Sequence, residues 1–101
     1  MILKINPQVY DDLEDIKNYI AEDSLSEAEK VVSNILSDIE KLENFPEIGA
    51  YLGNKITCSL KYRYIITYSY ASIYCIENNE VIVLTVLHLA RDFSALNFLY
   101  M

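Results

Sequence analysis

The spacing of apolar residues changes once along this chain, from a helical period in the first half to a strand period in the second. Two stripes in the first half recur at steps of three and four residues. They are Val9, Leu13, Ile16 and Ile20, followed by Ala28, Val32, Ile35, Ile39 and Leu42. Such spacing places each stripe on one face of an amphipathic helix. The first half therefore predicts two helices, packed on each other as an antiparallel hairpin.

Capping and breaking residues indicate where these helices begin and end. Asn6 before Pro7 suits the start of the first helix, since proline at the first helical position loses no hydrogen bond. Ser24 and Ser26 each open a Ser-x-x-Glu capping box, so the second helix begins soon after the first one ends. Phe45-Pro46 ends the second helix, because the residue before a proline avoids helical geometry.

The second half has the alternating pattern of β-strands. One strand is predicted over residues 62–68 and another over residues 71–76. Asn78-Asn79 predicts a tight turn, because asparagine tolerates a positive φ, and a third strand over residues 81–88 completes this hairpin. The nearly unbroken apolar character of the third strand indicates a position inside the sheet, with both faces covered. Residues 2–5 predict a further short strand at the N-terminus.

The predicted fold class is α+β. An N-terminal strand precedes an antiparallel helix hairpin, which packs on an antiparallel β-sheet in the order β-α-α-β-β-β, and a short C-terminal helix or tail follows from Asp92. The 101 residues fit one domain, 1–101. The longest apolar run, residues 81–87, falls far short of the roughly 20 residues needed to cross a bilayer. The N-terminus lacks the pattern of a secretory signal, so we expect a cytoplasmic protein.

The charge of the chain is divided unequally between its halves. Residues 1–50 hold twelve acidic residues against four lysines, giving −8, whereas residues 51–101 hold three against four basic residues, giving +1. The outer face of the first helix is predicted to carry Asp11, Asp12, Asp15 and Glu22. Because an acidic surface repels phosphate backbones, any nucleic-acid contact is confined to the second half, and strong nucleic-acid binding by the chain alone is not expected.

The two cysteines do not form a metal-binding pattern. Cys58 and Cys75 stand 17 positions apart without a Cys-x-x-Cys motif, and the single His88 does not complete a zinc ligand set with them. We expect reduced thiols that pack as small apolar groups, no metal and no cofactor.

The second half also holds the residues on which RNA cleavage would depend. Attack by a ribose 2′-OH needs an acid, a base and cations at the phosphate. The candidates are His88, Arg91 and Arg63 as catalytic residues, with Lys61, Arg63 and Arg91 as phosphate or partner contacts. The simpler interpretation is structural and takes precedence for His88, as a hydrogen-bonding residue at the end of the sheet. For Arg91-Asp92 the structural interpretation, a local ion pair and helix cap, has at least the same weight as the functional one.

Tyrosine is unusually frequent, with nine residues in the chain and five of them between positions 62 and 74. Tyrosine buries a large area and keeps a polar group, which suits both a core and a protein interface. Candidate residues of an interface with another protein are Tyr62, Tyr64, Tyr70, Tyr74, Phe93 and Phe98. Core packing is the alternative for the same residues.

Three segments and their order resemble the RelE/ParE toxin superfamily along nearly the whole chain. Phe45-Pro46-Glu47-Ile48-Gly49 matches a Pro-x-x-Gly that follows the second helix in the family. The tyrosine-rich strands and the closing His88-Leu89-Ala90-Arg91-Asp92 match in turn. The resemblance implies the toxin of a type II toxin-antitoxin module, of the plasmid-stabilisation kind, neutralised by a co-encoded antitoxin with which it forms a hetero-oligomer. A homodimer is the alternative assembly.

Three functions follow from this resemblance. The first is inhibition of a protein target such as DNA gyrase. The second is ribosome-dependent cleavage of mRNA, which would make the chain an enzyme. The third is an inactive relative that only binds antitoxin. Ala71 disfavours the second, because many ribonuclease-type relatives carry arginine after the tyrosine that resembles Tyr70. The predicted packing brings Arg63, His88 and Arg91 to a shared rim of the sheet.

Overall fold

Two helices and a β-sheet form where the two apolar periods predicted them. The computed structural model describes residues 1–52 and 62–92. The elements are β1 (Ile2–Ile5), α1 (Pro7–Ala21), α2 (Leu25–Glu40), β2 (Ala50–Tyr51), β3 (Arg63–Thr67), β4 (Tyr70–Glu77) and β5 (Glu80–His88). The predicted α+β class is confirmed. The predicted C-terminal helix or tail, beyond Asp92, lies outside the described residues, as do Lys61, Cys58, Phe93 and Phe98.

Side-chain caps start both helices. The Asn6 side chain accepts a hydrogen bond from the Gln8 amide at 2.9 Å, as the Asn-Pro pair predicted. Ser24 caps α2 by accepting a bond from the Glu27 amide at 3.2 Å, so the first of the two predicted capping boxes marks the true start. The helix passes into a short 3₁₀ turn over Lys41–Glu43 before Pro46. Local capping therefore fixes the ends of the hairpin.

The buried faces of the helices follow the predicted stripes with one exchange. Val9, Leu13 and Ile16 are buried on α1. On α2 the buried residues are Ala28, Val31, Ile35 and Ile39, and Leu42 continues the stripe in the 3₁₀ turn. Val32, which the stripe included, is only half-buried and Val31 takes its place. Because a helix has 3.6 residues per turn, steps of three and of four residues both stay near the buried face, and the sequence does not decide which of two adjacent residues is buried more deeply.

The five strands form one mixed sheet in the order β1-β5-β4-β3-β2. The predicted antiparallel hairpins β3-β4 and β4-β5 are present, and β5 lies inside the sheet between β4 and β1. Two features are added. β1 pairs with β5 in parallel. The two-residue β2 follows α2, where no strand was predicted, and pairs with β3. The helix hairpin returns the chain so that β1 and β5 run in the same direction.

The sequence indicates one of the two hairpin turns and not the other. Asn78 and Asn79 have φ values of 51° and 64°, the left-handed conformation predicted for this turn. The β3-β4 turn instead places Tyr68 at φ 55°, where an aromatic residue is uncommon. The hydroxyl of Tyr68 accepts a hydrogen bond from the side-chain amide Nδ2 of Asn34 at 2.7 Å, and this bond links the turn to α2.

Apolar clusters lie on both faces of the sheet. The larger one joins α1 and α2 to Tyr70, Tyr74 and the valines of β5. The smaller one lies on the opposite face and consists of Leu52, Ala71 and Ile73, against which half-buried residues pack: Tyr62, Tyr64, Leu84, Leu87 and Leu89. Of the helices within the described residues, neither has the length and apolar character required to span a membrane.

Asp12 was predicted on the outer face of α1, and the structure corrects this. Its half-buried carboxylate accepts hydrogen bonds from the Val86 amide at 3.0 Å and from the Thr85 hydroxyl. The pairing of β1 with β5 ends at Ile5 and Val83, so among residues 1–52 and 62–92 no strand lies beside the outward amides of β5 beyond that point. Asp12 satisfies one of these amides, which explains why a carboxylate lies at the boundary of the buried face.

Candidate functional site

The sequence His88-Leu89-Ala90-Arg91-Asp92 closes on itself as a turn at the end of β5. The Asp92 carboxylate accepts a hydrogen bond from the His88 amide at 2.9 Å, and the Asp92 amide donates to the His88 carbonyl at 2.7 Å. The Arg91 amide donates to Nδ1 of His88 at 3.0 Å. Because Nδ1 acts as an acceptor, the neutral ring carries its proton on Nε2. The His-x-x-Arg-Asp pattern therefore has a structural role in this chain.

Two tyrosines surround this turn. The Tyr70 ring meets the His88 ring edge to face, with centroids 5.1 Å apart. The Arg91 guanidinium lies over the Tyr19 ring at 5.7 Å and its Nε is 3.5 Å from the Asp92 carboxylate. Burial raises the pKa of Tyr70, an effect that Arg91 opposes and Tyr19 reinforces. The turn thus brings His88 and Arg91 together, beside a buried hydroxyl that stays protonated at neutral pH.

A shallow cleft of about 240 Å³ opens between this turn and α1. Its lining residues are Asp12, Asp15, Ile16, Val86, Leu87, Arg91 and Asp92. Three of these side chains are carboxylates and one is a cation. The cleft is therefore a poor phosphate site, because carboxylates repel the charge that a phosphate brings.

Arg63 is the first residue of β3 and lies away from the His88 turn. In the strand register Arg63 is opposite Tyr74, and Tyr74 is opposite Val83, whereas His88 is opposite Tyr70. Four residues of β4 separate the two positions, about 13 Å at the usual rise of a strand. The prediction that Arg63, His88 and Arg91 share a rim is wrong, because Arg63 lies beside the middle of β4, whereas His88 lies beside its first residue.

The Arg63 guanidinium is occupied by the segment that follows α2. It donates to the carbonyl of Glu47 at 3.1 Å, to the carbonyl of Gly49 at 2.8 Å and to the Tyr51 hydroxyl at 2.6 Å. It also lies 4.0 Å from the centre of the Tyr51 ring. These contacts occupy three of the five guanidinium donors of Arg63 within the chain. Its role as a phosphate or partner contact stays a prediction, and this geometry does not favour it.

Tyr74 holds the same segment from below. Its ring is fully buried, and its hydroxyl donates to the Pro46 carbonyl at 2.7 Å and accepts from the Gly49 amide at 2.9 Å. A Cβ on Gly49 would lie 2.4 Å from that hydroxyl and 2.8 Å from the Tyr64 carbonyl, so only glycine fits. Burial raises the pKa of Tyr74, against the effects of the Gly49 hydrogen bond and of Arg63. The Pro-x-x-Gly spacing is explained by this one hydroxyl.

The tyrosines predicted at an interface divide into two groups. Tyr70 and Tyr74 are buried in the larger cluster and belong to the core. Tyr62 and Tyr64 are half-buried on the opposite face, where their interface role stays a prediction. Sequence reasoning missed Asp12, Tyr19 and Tyr51, since nothing in the spacing of these residues indicates their distant partners. Within residues 1–52 and 62–92, no cluster of three or more His, Cys, Asp or Glu is placed to bind a metal.

Comparison with known proteins shows the family to which the chain belongs. A family model described as the ParE toxin of the type II toxin-antitoxin system, parDE, matches residues 3–93. No curated protein sequence matches the chain significantly.

Two solved structures are similar to the chain. One is from the chromosomal ParDE toxin-antitoxin system of P. aeruginosa, with 19% identity and a TM-score of 0.68 over 87% of this chain and 95% of that chain. The other is from the heterotetrameric YoeB-YefM toxin-antitoxin complex of Staphylococcus aureus, with 13% identity and a TM-score of 0.46 over 84% and 92%. The first likeness supports the fold, and the match over residues 3–93 establishes the family. The chain belongs to the ParE toxin family of type II toxin-antitoxin systems.

Proposed function

We propose that this toxin acts in the cytoplasm by inhibiting a protein target such as DNA gyrase, and that a co-encoded antitoxin neutralises it. The observation that carries the proposal is the position of Arg63, whose guanidinium is bound within the chain, four positions along the sheet from His88 and on a different strand. A toxin that cleaves RNA needs cations gathered around one phosphate, and a toxin that binds a protein does not.

The residues around His88 support this choice. RNA cleavage needs groups that exchange protons and cations that stabilise the charged transition state. Arg91 is the cation beside His88 in the described part of the chain, and it is paired with Asp92 and Tyr19. Asp12 and Asp15 add negative charge to the adjoining cleft. Such a site repels a phosphate more than it stabilises one.

The second face of the sheet supports an antitoxin partner. Tyr62 and Tyr64 lie half-buried there beside Leu84 and Leu87. A half-buried apolar face with tyrosine hydroxyls suits a protein interface, because rigid aromatic residues bury area at a low entropic cost. Binding of an antitoxin segment over this face would produce the hetero-oligomer that the family implies.

Purified full-length protein distinguishes the two targets. We expect it to block supercoiling of relaxed plasmid by DNA gyrase and to leave ribosome-bound transcripts uncut. His88→Asn is the informative variant, since its side-chain oxygen still accepts the Arg91 amide while the titratable ring is gone. We expect the variant to inhibit gyrase as well as the parent. Codon-placed cuts that disappear in His88→Asn would overturn the proposal.

A growth assay tests the antitoxin. Expression of the chain alone should arrest growth, and co-expression of the adjoining small reading frame should restore it. Co-purification of the two products in one complex is the matching biochemical result. Growth arrest that the neighbouring product neither relieves nor binds would contradict this part of the proposal.

A further inference from the structure

The segment 45–51, here called the 45–51 loop, presents three large apolar side chains to solvent. Phe45 is 60% exposed, Ile48 57% and Tyr51 50%. Single exposed apolar residues are common on protein surfaces, but three within seven residues are a local concentration. The residues beneath the loop explain why these side chains are exposed.

The inner side of the loop is already filled. Tyr74 and Arg63 make five hydrogen bonds to the loop, to Pro46, Glu47, Gly49 and Tyr51. Gly49 is in such close contact with Tyr74 that no side chain fits between them. The apolar side chains therefore remain outside, because the space that would bury them is occupied by the two anchors.

The same anchors make the loop rigid. Tyr74 belongs to β4 and Arg63 to β3, so the loop backbone is fixed to the interior of the sheet. A binding segment that is ordered before it meets a partner loses less conformational entropy on association. Fixed aromatic and aliphatic side chains are the usual centres of binding energy at interfaces. The loop combines both properties.

The charge near the loop indicates the partner. Residues 38–51 hold four acidic residues and one lysine, and that lysine, Lys41, is paired with Asp38 at 3.2 Å. Glu43 and Glu47, beside the apolar residues, are exposed. Arg63 directs its charge into the loop. A complementary surface therefore has an apolar centre with lysine or arginine at its edge.

We infer that the 45–51 loop is the surface by which this toxin contacts its protein target, and that the target presents a concave apolar pocket bordered by basic side chains. Side chains that project from a turn fit a pocket in a folded protein. An extended antitoxin segment is recognised instead by a groove or a long strand edge, and β2 at this edge has only two residues. The inference rests on the proposed function, since it assumes that a protein is the target.

The test compares two double variants of the full chain. Phe45→Ser with Ile48→Ser removes two of the three projecting side chains and keeps the third, Tyr51, which is bonded to Arg63. The variant also keeps Pro46, Gly49 and Tyr74. Tyr10→Ser with Leu25→Ser is the matched control, because these residues are 55% and 57% exposed on the helices. Thermal unfolding verifies that both variants fold. Gyrase supercoiling, growth arrest and binding of the adjoining reading-frame product are then measured.

We expect the loop variant to lose at least about tenfold in inhibition, the effect of removing one interface hot spot, and to bind the neighbouring product like the parent. The control should match the parent in all assays. Undiminished inhibition by the loop variant overturns the inference and leaves the proposed function intact. Retained inhibition with lost binding of the neighbouring product also overturns it, because the loop then serves the antitoxin.

Growth arrest separates a failure of the inference from a failure of the gyrase proposal. If the parent protein does not inhibit gyrase, the named target is wrong and growth arrest becomes the measure. Loss of arrest in the loop variant alone, with transcripts uncut in the parent, supports the inference for another protein target. Equal arrest by the loop variant and the parent overturns it.

Discussion

Two of the three segments that carry the family resemblance lie at separate positions on the sheet and are held in opposite ways. The turn from His88 to Asp92 binds itself, through hydrogen bonds between residues three and four positions apart. The 45–51 loop is bound by Tyr74 and Arg63, 12 to 28 positions away from the residues they hold. The turn is a property of its own sequence, whereas the loop exists only when the sheet has formed around it.

The largest expected effect comes from closing the space beneath the loop. In Gly49→Ala the new methyl group meets the Tyr74 ring and the Tyr64 carbonyl, of which the carbonyl belongs to the backbone and cannot rotate away. We expect a loss of about 3 kcal/mol in the free energy of unfolding, measured by urea denaturation. Ser33→Ala, at an exposed position on α2, is the control. A loss below about 1 kcal/mol would mean that the loop is not held as tightly as described.

The part of β5 that leads into the turn has a distant support in Asp12, and removing it gives the second effect. Asp12→Ala leaves the Val86 amide and the Thr85 hydroxyl without their acceptor at the unpaired edge of β5. We expect a loss of about 2 kcal/mol, typical of hydrogen bonds to a charged group. Asp11→Ala, at the exposed neighbouring position, should change stability little. Equal losses in the two variants would show that Asp12 does not support β5.

The third effect concerns the hydroxyl that links the loop to the core. Tyr74→Phe removes two hydrogen bonds and should cost about 1 kcal/mol at neutral pH. Burial raises the pKa of Tyr74 in the folded protein, so folding favours its protonated form. That contribution is complete below the unfolded pKa of about 10 and is lost as pH rises through the folded value.

Denaturation at a series of pH values measures this contribution. The parent should lose stability relative to Tyr74→Phe as the solution becomes more alkaline than about pH 10. Parallel curves for the two proteins at all pH values would contradict the buried environment of the hydroxyl.

Much of the fold follows from local signals in the sequence. The stripes, the caps at Asn6 and Ser24, and the Asn78-Asn79 turn each depend on residues close together in the chain, so they predicted the helices and the last hairpin correctly. The parallel pairing of β1 and the existence of β2 depend on distant residues and were not predictable in this way.

The position of Arg63 was missed for a specific reason. A hairpin's register follows from its turn, and the β3-β4 turn begins with Tyr68, which is not a typical turn residue. A register shift between Ile73 and Tyr74 further displaces β5 relative to β4. The predicted antiparallel order of β3, β4 and β5 by itself separates the start of β3 from the end of β5, so the predicted shared rim conflicted with that order. The register adds that the partners of Arg63 and His88 are four positions apart on β4.

The central claim, that Arg63 belongs to the loop and not to a site with His88 and Arg91, is tested most directly by a double-mutant cycle. The free energies of unfolding of Arg63→Ala, Arg91→Ala and the combined variant are compared with that of the parent. We predict that the two losses add to within about 0.5 kcal/mol, because the residues share no partner. A coupling energy above about 1 kcal/mol of either sign would place both arginines in one site and contradict the account.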